Sequence, residues 1–324
     1  MTHKLSKSQL NELYAMILEK GQEAVLFGAA EAMKKIQQNQ VHNEETTPAN
    51  EETTPANEET NTYRLEDIQK NGPISILYIK HLNESIKGKR ISETFELARK
   101  LCPELPGKEE IQACIGNYKA RDKGLLGKIT ELGYFGQKPN SSPGADLSWG
   151  ADIKTCNFKE LRNGHLNSKE RLTITNCGKK DDISTFSKIT NADSYETCPY
   201  YEKMQKGVLA VFKHNDGEKY ITMEQIMNKH ILALIVYDLS DMNQDVKNQL
   251  CTDFNDIKQR IKENNISQAG QKYLHIHPHG SKNSTTRALG FTNKFVTKLV
   301  SIYTNYPITE KGKSIYIERE HFGL

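Results

Sequence analysis

The sequence predicts a mixed α/β domain that follows an N-terminal helical extension and a disordered linker. Two observations predict the domain: short apolar runs of strand length recur after residue 150, and segments of helical period lie around them. The strand candidates are residues 152–158, 170–175, 208–214, 231–237 and 273–277. The third observation is a polar repeat before residue 63, which cannot join a packed core. Together they favour a mixed central sheet flanked by helices.

The first 62 residues divide into two segments. Residues 1–42 contain an amphipathic stretch, 5–37, in which Leu10, Leu13 and Ile17 recur at helical spacing. Residues 43–62 repeat Asn-Glu-Glu-Thr-Thr-Pro-Ala, and repelling glutamates with recurrent prolines keep such a chain extended and solvated. We therefore expect an N-terminal helical extension, a disordered acidic linker and one domain that spans residues 63–324.

Helical periodicity identifies five segments within the domain. Three of them precede the first strand candidate and span residues 91–100, 108–118 and 123–132. A long segment, 241–264, separates the last two strand candidates, and a further helix is expected to begin near Phe291. Helices and strands thus alternate along one chain, which is typical of a single α/β domain.

The charge distribution favours a polyanionic partner. Residues 1–62 carry five lysines and ten glutamates, whereas residues 63–324 carry 39 basic and 31 acidic residues, a formal balance of +8. The six cysteines form no Cys-x-x-Cys pair, which argues against a zinc knuckle and against a secreted disulfide scaffold. No apolar run approaches the length of a membrane span and no export signal is visible, so we expect a cytoplasmic protein that does not use a membrane.

A cluster of charged residues suggests the chemistry. Asp146 precedes the first strand candidate, and Asp152 and Lys154 lie two residues apart within it, so their side chains share one face. Carboxylates hold Mg²⁺ through hard oxygen ligands, and a nearby lysine can orient water during phosphodiester hydrolysis. Roughly five acid-x-Lys triplets are expected by chance in this composition. The triplet alone therefore favours a solvated strand with an exposed ion pair.

Four sequence blocks strengthen the hydrolytic interpretation. The first, 123–131, reads Lys-Gly-Leu-Leu-Gly-Lys-Ile-Thr-Glu, and the second, 145–155, joins Ala-Asp to Asp-Ile-Lys-Thr. The third, 201–209, reads Tyr-Glu-Lys-Met-Gln-Lys-Gly-Val-Leu, and the fourth, 273–295, begins Tyr-Leu-His-Ile-His-Pro-His. In this order the blocks resemble the MutH-type endonuclease family, which joins a mismatch-repair nicking enzyme to GATC-cutting type II restriction enzymes.

The resemblance implies a restriction-endonuclease-like PD-(D/E)xK fold and a role for each matched residue. Glu131, Asp146 and Asp152 would hold Mg²⁺, Lys154 would position the attacking water, and Lys203 would assist as a phosphate contact. Two departures from the family stand out: the loop between the aspartates is one residue shorter, and Asp152 replaces the usual glutamate. Aspartate remains a good Mg²⁺ ligand, so we expect an active enzyme.

The resemblance also places a DNA-reading region at about 265–303. No acidic residue occurs from Asn264 to Thr309, which suits contact with phosphates. Alternating His275, His277 and His279 suggest a zinc site as an alternative, but Pro278 is expected to end the strand and no cysteine or carboxylate is near in sequence. The residues expected to contact DNA are Lys123, His277, His279, Lys282, Arg287, Lys294 and Lys298.

These expectations combine into one function and two alternatives. We expect a type II restriction endonuclease that uses Mg²⁺ to hydrolyse double-stranded DNA at a short specific site, GATC by resemblance, and leaves 5′-phosphates. Its partners would be double-stranded DNA, a second copy of the chain on that DNA, and a cognate DNA methyltransferase of the same system. The alternatives are a mismatch-repair nicking endonuclease and a catalytically inactive DNA-binding module of the same fold.

Overall fold

A computed structural model describes most of the C-terminal domain. All described residues belong to the unit Thr62–Leu324 and comprise 71–115, 124–139, 145–215, 222–266, 270–281, 283–312 and 314–324. The predicted extension 1–42, the linker 43–62 and the sites Lys123 and Lys282 lie outside them. No helix in these ranges is both long enough and apolar enough to cross a membrane.

Nine α-helices occur in the described part of the chain, and three 3₁₀ helices accompany them. The helices are α1 (Ile76–Ile86), α2 (Ile91–Leu101), α3 (Lys108–Ile115), α4 (Leu125–Phe135), α5 (Ser187–Thr190), α6 (Tyr201–Gln205), α7 (Met223–Met227), α8 (Gln244–Lys262) and α9 (Asn293–Thr304), and the 3₁₀ helices span Ile183–Phe186, Leu239–Asp241 and Arg319–Phe322. Side-chain caps fix several starts: Ser75, Asn243 and Thr292 each accept a backbone N–H from the first turn that follows.

The described strands form two sheets. They are β1 (Asp152–Glu160), β2 (Leu166–Ser168), β3 (Leu172–Lys179), β4 (Lys206–Lys213), β5 (Ile231–Asp238), β6 (Leu274–Pro278), β7 (Thr286–Phe291), β8 (Ile308–Lys311) and β9 (Ser314–Ile317). The larger sheet has the order β5-β4-β1-β2-β9-β8, and its β1–β4 pair is parallel whereas its other pairs are antiparallel. The smaller sheet is antiparallel, in the order β3-β7-β6.

The central strands of the larger sheet are buried on both faces. Ile153 and Val208 pack into an apolar cluster with residues of α1, α2 and α4, whereas Cys156, Leu209 and Val211 pack into a second cluster with α8, α9 and the smaller sheet. Two-sided burial explains why β4 and β5 read as continuous apolar runs. It also fixes which face of β1 meets each layer of helices.

The predicted mixed α/β architecture is confirmed. The strand predictions at 152–158, 208–214 and 231–237 match β1, β4 and β5 within two residues, and Pro278 ends β6 as expected. The prediction at 170–175 marks the start of β3, which continues to Lys179. Helix α1 was not predicted, although its buried residues Tyr78, Leu82 and Ile86 recur at helical spacing. Strands β2, β7, β8 and β9 were not predicted because they are short or lack a clear alternation.

Candidate active site

The predicted aspartate and lysine form a buried ion pair at the start of β1. Lys154 Nζ donates to Asp152 Oδ2 at 2.7 Å, and the side chain of Asp152 is only 4% exposed. The two residues meet because alternate residues of a strand project to one face. This burial separates the pair from an ordinary surface ion pair, which was the competing interpretation of the triplet.

Asp146 is held beside that pair by the loop between them. Its Oδ2 accepts the backbone N–H of Ile153 at 2.8 Å. The loop closes on itself, since the N–H of Leu147 donates to the carbonyl of Ala151 at 2.9 Å and Gly150 adopts a positive φ of 86°. Trp149 anchors the loop to the segment before α1, because its indole N–H donates to the carbonyl of Ile74 at 2.7 Å.

Glu131 approaches the same site from helix α4, which packs on β1. Burial, and next to it the negative charge of Asp146, raise the pKa of Glu131 to about 7. Asp152 adds to the increase, whereas the positive charges of Lys154 and Lys128 oppose it. These mutual effects show that Glu131 shares one electrostatic environment with the aspartates and the lysine.

The carboxylates of Glu131, Asp146 and Asp152 are suitable ligands for a divalent cation, although they do not form a complete coordination site. The described residues contain no three acidic, histidine or cysteine side chains that already enclose a metal position. However, Asp152 Oδ1 is buried and receives no hydrogen bond from any residue that the structure describes. A carboxylate oxygen without a partner is costly in a protein interior, and a bound cation would offset that cost together with the repulsion among the three acids.

Lys203 lies at the same end of the larger sheet. It belongs to α6, which leads directly into β4, and the first residues of β4 are neighbours of the first residues of β1. Its side chain is partly exposed and forms no ion pair with the described acidic residues. The structure therefore brings Lys203 towards the carboxylate end of the sheet without linking it to the carboxylates.

Two residues expected to contact DNA are instead inside the protein. His277 is 3% exposed and its Nε2 lies 3.1 Å from Thr173 Oγ1, and burial lowers its pKa to about 3. Arg287 is also buried, and its Nη1 donates to the carbonyls of its own turn, including that of Thr285 at 3.1 Å. His277 and Arg287 are thus buried, and their contact with DNA stays a prediction.

Three other members of that set remain available. His279 is exposed just after β6, and Lys294 and Lys298 are partly exposed one helical turn apart on α9. Lys298 donates to the hydroxyl of Tyr273 at 3.0 Å, which orients its ammonium group. These side chains lie on or beside the smaller sheet and its helix, away from the crowded interior around His277.

Two structurally important residues were not foreseen, one at the smaller sheet and one beside the candidate active site. Asp253 of α8 accepts the backbone N–H groups of Lys272 and Leu274 at the start of β6, at 3.0 and 2.9 Å. Tyr237 of β5 lies in the row of residues that contains Asp152. Neither role has a local signal, since both depend on strand register and on contacts between distant segments.

Comparison with known proteins shows a similarity to a restriction enzyme. No protein-family model matches the chain. Over 150 residues, 45% of the chain, the sequence is 26% identical to the type II restriction enzyme Sau3AI of Staphylococcus aureus, and the match spans 29% of that enzyme. The chain thus covers less than a third of this relative. The likeness relates the chain to a restriction endonuclease, and it does not single out the mismatch-repair branch of the family named above.

Proposed function

We propose that this chain is a Mg²⁺-dependent restriction endonuclease that cleaves double-stranded DNA at a short specific site. The observation that carries the proposal is the buried Asp152–Lys154 pair, with Asp146 bonded to the intervening residue and Glu131 beside them. A buried carboxylate cluster with one lysine is what hydrolysis of a phosphodiester requires. The type II restriction enzyme to which the chain is similar supports the same reaction.

Each charged residue has a distinct task in this proposal. Glu131, Asp146 and Asp152 would hold Mg²⁺. When bound, the cation offsets negative charge on the scissile phosphate and lowers the pKa of a bound water. Lys154 would donate a hydrogen bond to the attacking water and orient it in line with the leaving 3′ oxygen. Its ion pair with Asp152 keeps the ammonium group in place before DNA arrives. Lys203 would contact a neighbouring phosphate, and the product would carry a 5′-phosphate.

The DNA would lie along the basic side of the smaller sheet. The acid-free run between Asn264 and Thr309 includes β6, β7 and α9, so its lysines meet no nearby acid from their own segment. Lys294 and Lys298 would contact phosphates, and His279 would lie near base edges in the loop after β6. Lys123 and Lys282 are further proposed contacts that lie outside the described residues.

The finer assignments rest on the motif resemblance. We propose a restriction-endonuclease-like PD-(D/E)xK fold and GATC as the first target to test. One active site cuts one strand, so cleavage of both strands would need two copies of the chain on DNA or two successive nicks. A restriction enzyme in the cytoplasm also threatens its own genome, and we therefore expect a cognate DNA methyltransferase in the same system.

The test is cleavage of supercoiled plasmid DNA by the purified full chain. With Mg²⁺ we expect linear product whose sequenced ends fall at one short recurring site. With Ca²⁺ we expect binding without cleavage, because Ca²⁺ occupies carboxylate sites but supports this hydrolysis poorly. Open-circular product alone would favour the nicking alternative. Binding with no cleavage in either metal would favour the inactive module and would refute the proposal.

A matched pair of variants assigns the reaction to the site. Asp152→Asn should abolish cleavage while leaving DNA binding largely intact, because the phosphate contacts lie elsewhere. Glu160→Gln is the control: Glu160 lies at the far end of the same strand and also pairs with a lysine, Lys213, at 3.0 Å. Equal cleavage by both variants would show that the carboxylates near Asp152 are not catalytic.

A further inference from the structure

Two buried oxygen atoms near the candidate active site lack a hydrogen-bond partner among the described residues. One is Oδ1 of Asp152 and the other is the hydroxyl of Tyr237. Asp152 is 3% exposed and Tyr237 is 0% exposed, so solvent cannot readily satisfy either group. One of these atoms is an acceptor and the other is a donor. Each is costly to bury without a partner.

The strand register places these two residues in one row. Strand β4 lies between β1 and β5, and its residue Gly207 pairs with Asp152 on one side and with Tyr237 on the other. Residues directly opposite each other on neighbouring strands project to the same face of a sheet. Asp152 and Tyr237 therefore share a face and are separated only by a residue without a side chain.

Gly207 leaves space for the ring of Tyr237 to extend over β4 towards β1. A Cβ atom at Gly207 would lie 2.6 Å from Cε1, Cζ and the hydroxyl oxygen of Tyr237. The ring therefore covers Gly207, and its hydroxyl end extends from β5 over β4. Burial, and next to it the negative charge of Asp152, raise the pKa of Tyr237 well above its usual value, which keeps the hydroxyl protonated as a donor.

We infer that Tyr237 is a positioning residue whose hydroxyl donates to Oδ1 of Asp152, directly or through one bridging water. Lys154 holds the other oxygen, so the two donors together would fix the plane of the carboxylate. A carboxylate oxygen can accept such a bond and still bind a cation, because it has two lone pairs. The placement of the two side chains in one row follows from the fold, whereas the role of the hydrogen bond in metal binding rests on the proposed function.

A double-mutant cycle tests the contact without requiring any activity. We compare the urea midpoint of unfolding for Tyr237→Phe in the native chain and in an Asp152→Ala background. If the hydroxyl bonds Asp152, the change lowers the midpoint in the native chain and leaves it unchanged or higher in the second background. Equal shifts in both backgrounds would overturn the inference. Tyr195→Phe is the control, since Tyr195 is buried and donates to Glu196 at 3.0 Å, and its shift should be the same in both.

Two further measurements test whether Tyr237 contributes to metal binding and catalysis. In Tyr237→Phe we expect Mn²⁺ affinity, measured by calorimetry without DNA, and kcat for cleavage each to fall about 10–100-fold, as for other groups that orient a metal ligand. DNA affinity in Ca²⁺ should stay unchanged, which a general loss of structure would not allow. Unchanged Mn²⁺ affinity and kcat would overturn the positioning role. A native chain that never cleaves DNA would refute the proposed function. The double-mutant cycle would still test the hydrogen bond between Tyr237 and Asp152.

Discussion

Asp253 offers a prediction whose magnitude follows from counted hydrogen bonds. Its buried carboxylate accepts the backbone N–H groups of Lys272, Tyr273 and Leu274, and also the amide of Gln249 at 3.0 Å. Asp253→Ala removes both carboxylate oxygens, so all of these donors lose their acceptor. The N–H groups of Tyr273 and Leu274 are buried and would lose their partner, and each such loss costs about 1–3 kcal/mol. We therefore expect the free energy of unfolding to fall by about 3–5 kcal/mol.

The measurement is urea unfolding followed by circular dichroism, together with a thermal scan. For a domain of this size the expected loss lowers the melting temperature by roughly 10 °C. Asp245→Ala is the matched control, because Asp245 is an exposed acid in the first turn of the same helix and its loss should cost no more than about 1 kcal/mol. A change below about 1 kcal/mol in Asp253→Ala would refute the view that this carboxylate fastens β6 to α8.

Three further predictions concern other parts of the chain. Burial lowers the pKa of His277 to about 3, below its ordinary value. The free energy of unfolding should therefore fall as the pH drops below about 6.5, by up to about 1.4 kcal/mol per pH unit. His277→Gln should flatten this dependence, as measured by urea unfolding at pH 7, 6 and 5. Lys298→Ala should weaken binding to all DNA alike and reduce the salt slope by about one unit, whereas Lys311→Ala on the exposed β8 should not. Deleting residues 1–62 should leave a folded, cleaving enzyme, and an insoluble fragment would contradict this.

Elements with a clear internal pattern of apolar residues could be predicted from the sequence. Elements whose structure depends on pairing with distant segments could not. Strands β4 and β5 read as long apolar runs because both of their faces are buried. Strand β7 contains Arg287 and Gly290, and its strand character comes from pairing with β3 on one side and β6 on the other. Gly290 is needed there because a Cβ atom would lie 2.4 Å from the carbonyl oxygen of Leu172. A single sequence shows the glycine but not the strand that approaches it.

In the candidate active site, too, the sequence predicts some properties of single residues and not others. The chemical groups were identifiable because an acid, a short loop and an acid-x-Lys triplet lie within nine residues of one another. Their burial was not identifiable, and burial is what distinguishes this ion pair from the several triplets expected by chance. His277 shows the same limit: its position in a motif predicts contact with DNA, whereas the structure shows a buried side chain whose Nε2 lies 3.1 Å from Thr173 Oγ1.

The inward position of His277 has a consequence for how specificity would arise. A buried neutral histidine and a buried arginine that bonds its own turn give the β6–β7 connection a rigid base, so the exposed residues between them are presented from a fixed scaffold. Under the proposed function, base reading would fall to the connection after β6, where His279 is exposed, and phosphate contacts would fall to α9. Since Asp253 fastens the other end of β6, substitutions in that connection would then alter the target sequence without disturbing the sheet beneath it.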